Sequence, residues 1–260
     1  MTAVGVALPP AAASRVSVAR VVRSEWVKFA TLASNWITAA AAAAVIVLLA
    51  AVVVWARAAD SSAVVMPDLL AGVSWAPMLL AVLATVAICS EWASGTSRVT
   101  FLAVPVRWPV LVGKAFVLGG ISFLIGSIGA GCALAVGAVA GAVEVGADPS
   151  LAARLFVGTG LYLSALSVLA IGIGALVRNL VAGILTVIGI LWVLPFVVAM
   201  IPVAEVQTLV AYLPTPAGGV LLGPEAAATT LTPWGGFAVL VAWSTTAFIA
   251  AVLALGARDV

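Results

Sequence analysis

The stretch RLFVGTGLYLSALSVLAIGIGALVRNLVAGILTVIGILWVLPFVVAMIPVAE, residues 154–205, decides which kind of fold this chain can adopt. Its only charged residues are Arg154, Arg178 and Glu205, and they separate two long apolar runs. A helix of about 20 apolar residues crosses a hydrocarbon core roughly 30 Å thick. Both runs exceed that length, so the stretch predicts two membrane-spanning helices joined by a short turn at Arg178.

The same pattern continues along the whole chain of 260 residues. Six uncharged stretches of 22 to 32 residues are each bounded by charged residues. Hydrophobic residues make up 65% of the chain and charged residues 8%, whereas soluble domains contain about 25% charged residues. We therefore expect an all-α, polytopic membrane protein, with a disordered N-terminus (1–14) and a single domain (15–260). The predicted spans are about 34–56, 69–90, 115–143, 155–177, 180–201 and 234–257.

The first span could also be interpreted as a cleaved signal peptide, because basic residues precede it and Ala56-Arg57-Ala58 resembles a cleavage site. Its apolar run from Ile37 to Trp55 is longer than the roughly 7–15 apolar residues of a signal peptide. We therefore expect the first span to be retained.

The distribution of Lys and Arg between the spans predicts the orientation. Cytoplasmic segments carry an excess of Lys and Arg. Alternate segments hold nine and two such residues, which predicts a multi-pass protein of the cell membrane with both termini in the cytoplasm. The larger set is Arg15, Arg20, Arg23, Lys28, Arg98, Arg107, Lys114, Arg178 and Arg258, and the smaller set is Arg57 and Arg154.

The segment from Arg15 to about Thr31 predicts a basic amphipathic helix in the cytoplasmic headgroup layer. A stripe along one side of the helix would contain Val18, Val22, Trp26 and Phe29. A solvated linker whose charges only set the topology is the alternative. The residues that we expect to define the interfacial helix are Arg20, Arg23, Glu25, Trp26 and Lys28.

The connection 202–233 is predicted to lie outside the cell and is both apolar and rich in proline. Proline prevents a continuous helix across it. Two short helices that re-enter the outer leaflet fit the composition, and so does a loop packed on the extracellular surface. The residues that mark this outer hairpin are Pro214, Gly218 and Gly219.

Small residues and one proline predict details of helix packing. Glycines such as Gly126 and Gly160 favour close approach of helices in lipid. Gly137 and Gly141 have the spacing of a GxxxG packing motif. Pro195 is expected to kink the fifth span.

Several kinds of chemistry are missing from the sequence. The chain has no His, and Cys89 and Cys132 fall in different predicted spans, so we expect no metal site and no catalytic residues. An ionisable residue near the centre of a span, which ion-coupled carriers usually need, is also missing. Gly113-Lys114 lacks the remainder of a phosphate-binding loop. Energy for transport would therefore come from a partner.

The segment between Glu91 and Lys114 is too long for a tight helical hairpin. It contains Glu91-x3-Gly95-Thr96 and Pro105-x-Arg107. A Ser or Thr near its start could cap a short helix that Pro105 ends. A loop helix with anchoring charges accounts for this pattern equally well on physical grounds alone.

These motifs, with Arg-Ser-Glu-Trp-x-Lys at 23–28 and Tyr-Leu-Pro-x2-Ala-Gly at 212–218, resemble membrane subunits of bacterial ABC transporters. More narrowly, the chain resembles the type-2 export permease family. The resemblance implies a dimer of permease chains powered by separate ATPase subunits, which bind the ATP and Mg²⁺ while this chain holds no cofactor. We expect no nucleic-acid partner.

In that family the segment after the second span implies a short cytoplasmic coupling helix that docks on the ATPase. The residues expected to transmit the movement are Glu91, Gly95, Thr96, Arg98, Phe101, Pro105 and Arg107. The alternatives are a non-transporting membrane anchor, an immunity or sensor partner protein, and a passive channel. The sequence does not identify the substrate.

Overall fold

A computed structural model describes residues 18–93, 108–223 and 230–257, and all regular structure in these ranges is helical. We number nine helices within them. They are α1 (Val18–Thr31), α2 (Ala33–Ala59), α3 (Ala76–Ala93), α4 (Trp108–Val139), α5 (Pro149–Val177), α6 (Leu180–Ala199), α7 (Ala204–Val210), α8 (Pro214–Gly219) and α9 (Pro233–Ala257). A 3-10 helix, Met66–Ser74, leads into α3, and another, Val220–Leu222, follows α8.

Six helices are long and apolar enough to cross a bilayer, which confirms the predicted six-span fold. They are Ala33–Ala59, Met66–Trp92, Trp108–Val139, Pro149–Val177, Leu180–Ala199 and Pro233–Gly256. The largest difference from the predicted bounds is in α4, which already includes Trp108 and therefore contains Lys114 two turns inside the helix. The charge of Lys114 did not mark the helix end because the side chain is paired, as shown below.

Helix α5 lies at the centre of the bundle, where it packs against α3, α4, α6 and α9. Its most extensive contact is with α4. A Cβ added to Gly126 would lie 2.7 Å from the Thr159 carbonyl oxygen, and one added to Gly160 would collide with Ser127. These two glycines therefore permit the close helix–helix approach predicted from the sequence.

The GxxxG spacing at Gly137 and Gly141 does not form a packing face on one helix. Helix α4 ends at Val139, and Gly141 has a φ of 65° in the turn that follows. Glycine adopts this left-handed conformation at little cost. Gly141 thus ends the helix, whereas Gly137 packs against Leu69.

Helix α6 is interrupted where the sequence predicted a kink. A π-helical turn, Gly189–Val193, ends two residues before Pro195. Proline has no N–H to offer to the carbonyl four residues earlier, which belongs to Leu191. The Thr215 hydroxyl of α8 donates to this carbonyl at 2.7 Å, so the opened turn is satisfied by a neighbouring element.

The connection after α6 contains two short helices, α7 and α8, and α8 is packed inside the protein. A Cβ on Gly218 would meet the ring of Tyr162 at 2.7 Å and would also collide with Leu240. The Trp243 indole donates to the Tyr212 carbonyl at 2.9 Å, which ties the start of α8 to α9. The depth of this hairpin in a bilayer stays a prediction.

The face of α1 that packs on the bundle differs from the predicted apolar stripe. Val21, Glu25 and Phe29 are buried, whereas Val18 and Trp26 are exposed. A carboxylate is thus at the centre of the buried face, because it has charged partners on two other helices. Val18 lies on the same face at the exposed start of α1, and Trp26 lies to one side of that face, so both side chains are accessible.

Candidate functional site

Four charged side chains from three helices meet at the end of the bundle that carries α1. Lys114 Nζ of α4 lies 2.6 Å from Glu25 Oε2 of α1 and 3.0 Å from Glu91 Oε1 of α3. Lys28 Nζ of α1 lies 2.6 Å from Glu25 Oε1 and 2.9 Å from Glu91 Oε1. Each carboxylate therefore accepts from both ammonium groups. We call these four residues the charge cluster.

Burial differs within the charge cluster. The side chains of Glu25 and Lys114 are each 4% exposed, that of Glu91 is 14% exposed and that of Lys28 is 42% exposed. Removing water from charges is costly, and only good geometry with complete pairing compensates for it. Loss of one buried member would leave its partner desolvated, so the cluster can exist only when α1, α3 and α4 are all in place.

Local sequence explains how the cluster assembles. Val21, Glu25 and Phe29 recur every four residues, so they lie along one face of α1. That face approaches α4 at Gly113, where an added Cβ would lie 2.9 Å from a methyl group of Val21. Lys114 follows directly and reaches Glu25. The Gly-Lys pair that failed as a phosphate-binding loop thus forms the docking point of α1 on α4.

The pKa of Lys28 reflects this environment. Burial acts to lower the pKa of its ammonium group, but the hydrogen bonds and charges of Glu25 and Glu91 outweigh burial and raise the pKa above its usual value. A raised pKa favours the folded state until the pH rises through the shifted value. Lys28 therefore stays charged and keeps its two contacts at neutral pH.

Next to Glu91, a second contact holds the C-terminal end of α3. The Arg178 guanidinium lies 4.6 Å from the centroid of the Trp92 ring, an arrangement that stabilises a cation. Arg178 also donates to the Ala254 carbonyl of α9 at 3.2 Å. It occupies the left-handed turn between α5 and α6, with a φ of 57°. The end of α3 is thus connected to α1, α4, α9 and the α5–α6 turn.

The structure brings together some of the predicted site residues and separates others. Glu25, Lys28 and Glu91 belong to the charge cluster, whereas Trp26 is exposed on α1. Arg20 and Arg23 are also exposed on α1 and are not members of the cluster. Pro214, Gly218 and Gly219 lie at the opposite end of the bundle in α8. The remaining predicted coupling residues fall outside the described ranges, namely Gly95, Thr96, Arg98, Phe101, Pro105 and Arg107.

Sequence reasoning missed Lys114 and Arg178 as site residues, because it used both to set the spans and the orientation and considered Lys114 otherwise only for a phosphate-binding loop. A signal for Lys114 was present, since Pro109 marks a helix start and places the lysine inside the helix. Lysine inside an apolar helix needs a carboxylate partner. No comparable local signal identifies Trp92 as the partner of Arg178, because 85 residues separate them.

Comparison with protein families gives one match. A family model described as "ABC-2 family transporter protein" matches residues 21–197. The matched range includes every member of the charge cluster and ends within α6. No curated protein matches the chain.

Proposed function

Because this chain belongs to the ABC-2 family of transporter proteins and is a membrane permease subunit of an ABC transporter, we propose that it exports its substrate as one half of a dimer powered by separate ATPase subunits. Family membership favours this function over a non-transporting anchor, immunity or sensor protein. The proposal places both termini and the charge cluster on the cytoplasmic side of the cell membrane. The nine-to-two distribution of Lys and Arg supports this orientation.

The observation that carries the proposal is the position of the charge cluster along the chain. Glu91 lies at the end of α3 and Lys114 near the start of α4, so the two residues flank the segment 94–107. Both contact Glu25 or Lys28 of α1. A force applied to the segment would therefore reach α1 through buried charges, with no need for a direct contact between α1 and the ATPase.

We assign the contact with the ATPase to residues of this segment, chiefly Gly95, Thr96, Arg98 and Phe101, with Pro105 and Arg107 at its end. ATP binding would bring two ATPase subunits together and displace the segment. For this movement to alter the transport pathway, the ATP-bound state must favour one permease conformation over another. The charge cluster supplies the mechanical link, because α1, α3 and α4 share it.

Affinity purification of the full-length chain from its native membrane tests the partnership. We expect an ATPase with a phosphate-binding loop to be retained, in a stoichiometry of two ATPase chains to two permease chains. Mass spectrometry of the intact complex measures both quantities. Recovery of the chain with no ATPase, or with one permease chain per complex, would contradict the proposal.

A pair of charge-reversal variants locates the docking surface. Arg98→Glu should reduce retention of the ATPase on the order of tenfold, which corresponds to about 1.4 kcal/mol. Arg57→Glu reverses a charge at the opposite end of the bundle and should retain the ATPase fully. Equal loss in both variants would indicate general damage to the fold, and equal retention would remove Arg98 from the interface.

A further inference from the structure

A large cavity lies at the end of the bundle opposite the charge cluster. Its volume is about 710 Å³, within the range of sites that bind small molecules. The walls come from the end of α2, the 3-10 helix before α3, α5, α6 and the α8 hairpin. Most of the lining is apolar. Its polar side chains are the charged pair Arg57 and Asp68, together with Ser74, Tyr162, Trp192 and Thr215.

Tyr162 is a polar residue of the cavity wall. Its side chain lines the cavity, and the residue is only 3% exposed. Within the described ranges its hydroxyl makes no hydrogen bond. A hydroxyl in apolar surroundings gains from a hydrogen bond. A ligand or a water molecule in the cavity could supply that bond.

Arg57 and Asp68 form an ion pair at the cavity, and each of them could exchange the other for a charged group of a ligand. Arg57 Nη2 and Asp68 Oδ2 make a single contact of 3.3 Å, and their side chains are 43% and 31% exposed. Such a pair contributes little stability. Arg57 keeps donors that could bind a phosphate in a bidentate manner. Asp68 also accepts from the Val65 amide and could accept from an ammonium group.

The position of the cavity indicates where its ligand comes from. Its walls include parts of α2 and α6, two helices with little of their surface buried inside the protein. Trp55 and Val193, each next in sequence to a residue of the cavity wall, are exposed in the single chain. Arg57 lies in the last turn of α2, where a span meets the headgroup layer. An acyl chain of a bilayer lipid can therefore reach the cavity while its headgroup stays near Arg57.

We infer that this cavity binds a zwitterionic phospholipid, with one acyl chain in the apolar part, its phosphate on Arg57 and its ammonium group on Asp68. A lipid with only an anionic headgroup would face the Asp68 carboxylate without a compensating cation. A lipid without charge would satisfy neither member of the pair. The inference does not depend on the proposed coupling role, because binding is measured on the permease chain alone.

The test is native mass spectrometry of the full-length chain released from a non-ionic detergent, with added dimyristoyl phosphatidylethanolamine or dimyristoyl phosphatidylglycerol. We expect one phosphatidylethanolamine to be retained, and phosphatidylglycerol to bind on the order of tenfold more weakly. Equal retention of the two lipids would overturn the assignment, and so would retention of neither. Binding of free phosphoethanolamine with the same affinity would show that the acyl chain contributes nothing.

Two leucine variants separate occupation of the cavity from general effects. Gly219 lines the cavity in a helical conformation, and an added Cβ there meets no atom within 4 Å, so a side chain can start at this position and Gly219→Leu should reduce the cavity volume. Gly120 has the same open surroundings on α4, away from the cavity, and Gly120→Leu is the matched control. We expect Gly219→Leu alone to lose the bound phosphatidylethanolamine. Retention by Gly219→Leu, or loss by both variants, would contradict the proposed site.

Discussion

The two ends of the bundle use charged residues in opposite ways. At the α1 end, two carboxylates and two ammonium groups form a charge cluster with contacts as short as 2.6 Å, and Glu25 and Lys114 are almost completely buried. At the other end, Arg57 and Asp68 make one contact of 3.3 Å beside a cavity and remain partly exposed. The first arrangement holds three helices together, whereas the second leaves bonding capacity for a ligand.

This contrast shows that the number of charged residues at one end of the bundle says little about their role, which depends on their burial and pairing. A buried charge is tolerated only when its partners stay in place, so a buried cluster makes helices move together. An exposed pair can be broken at little cost. The predictions below test this difference, beginning with the largest expected effect.

Replacing Lys114 should damage the protein most. Lys114→Met leaves two carboxylates near each other with only Lys28 between them, and the free energy of unfolding should fall by about 3–5 kcal/mol. Denaturant titration in detergent measures the change. In the double variant Glu25→Gln/Lys114→Met the Lys28–Glu91 pair remains, and the loss should be clearly smaller than the sum of the single losses. Additive losses would show that Glu25 and Lys114 do not interact.

Glu91→Gln should have an intermediate effect. The amide keeps the shape of the side chain but removes the charge that both lysines contact. Because Glu25 still pairs with both lysines, we expect a loss of about 1–3 kcal/mol. The matched variant Glu205→Gln changes an exposed residue of α7 and should shift stability by less than about 0.5 kcal/mol. Similar losses in the two variants would argue against a cluster at the α1 end.

Thr215→Val tests the link between α8 and α6 at the opposite end. The Leu191 carbonyl would lose the bond from the Thr215 hydroxyl, and stability should fall by about 1–2 kcal/mol. Thr186→Val is the control, because the Thr186 hydroxyl bonds only within its own helix. Thermal unfolding in detergent compares the two. If Thr186→Val costs as much as Thr215→Val, the contact across the hairpin has no special role.

The smallest effect is expected for Arg57→Gln. Its exposed ion pair with Asp68 should contribute less than about 1 kcal/mol to the free energy of unfolding. Loss of phosphatidylethanolamine binding without loss of stability would separate ligand binding from folding at this end. A loss of stability equal to that of Lys114→Met would remove the distinction between the two ends.

The fold could be predicted from composition because the bilayer allows few alternatives. Runs of uncharged residues longer than a span, separated by charges, gave the six spans, and the structure confirms them. The helix ends were predicted less accurately, as the start of α4 shows. A lysine can lie inside a helix when a carboxylate from another helix contacts it. Gly141 was assigned to packing because spacing alone does not reveal a positive φ.

The site could be predicted only in part. Glu25, Lys28 and Glu91 were named from the sequence, but as members of two separate segments. Their meeting depends on the packing of α1 against α4, which involves Gly113 and residues far apart in the chain. No sequence pattern predicts the cavity that Tyr162 lines, because its walls come from five elements that are distant in the chain.

The most direct test of the central claim is a distance measurement on the complex of this chain with its ATPase. Spin labels at Ser24→Cys on α1 and Gly256→Cys on α9, both exposed positions, would be placed in a background with Cys89 and Cys132 replaced by alanine. We predict that ATP changes the distance between the labels in the protein with an intact charge cluster, and that Glu91→Gln removes the change. An identical ATP-dependent change with and without the Glu91 charge would contradict transmission through the cluster.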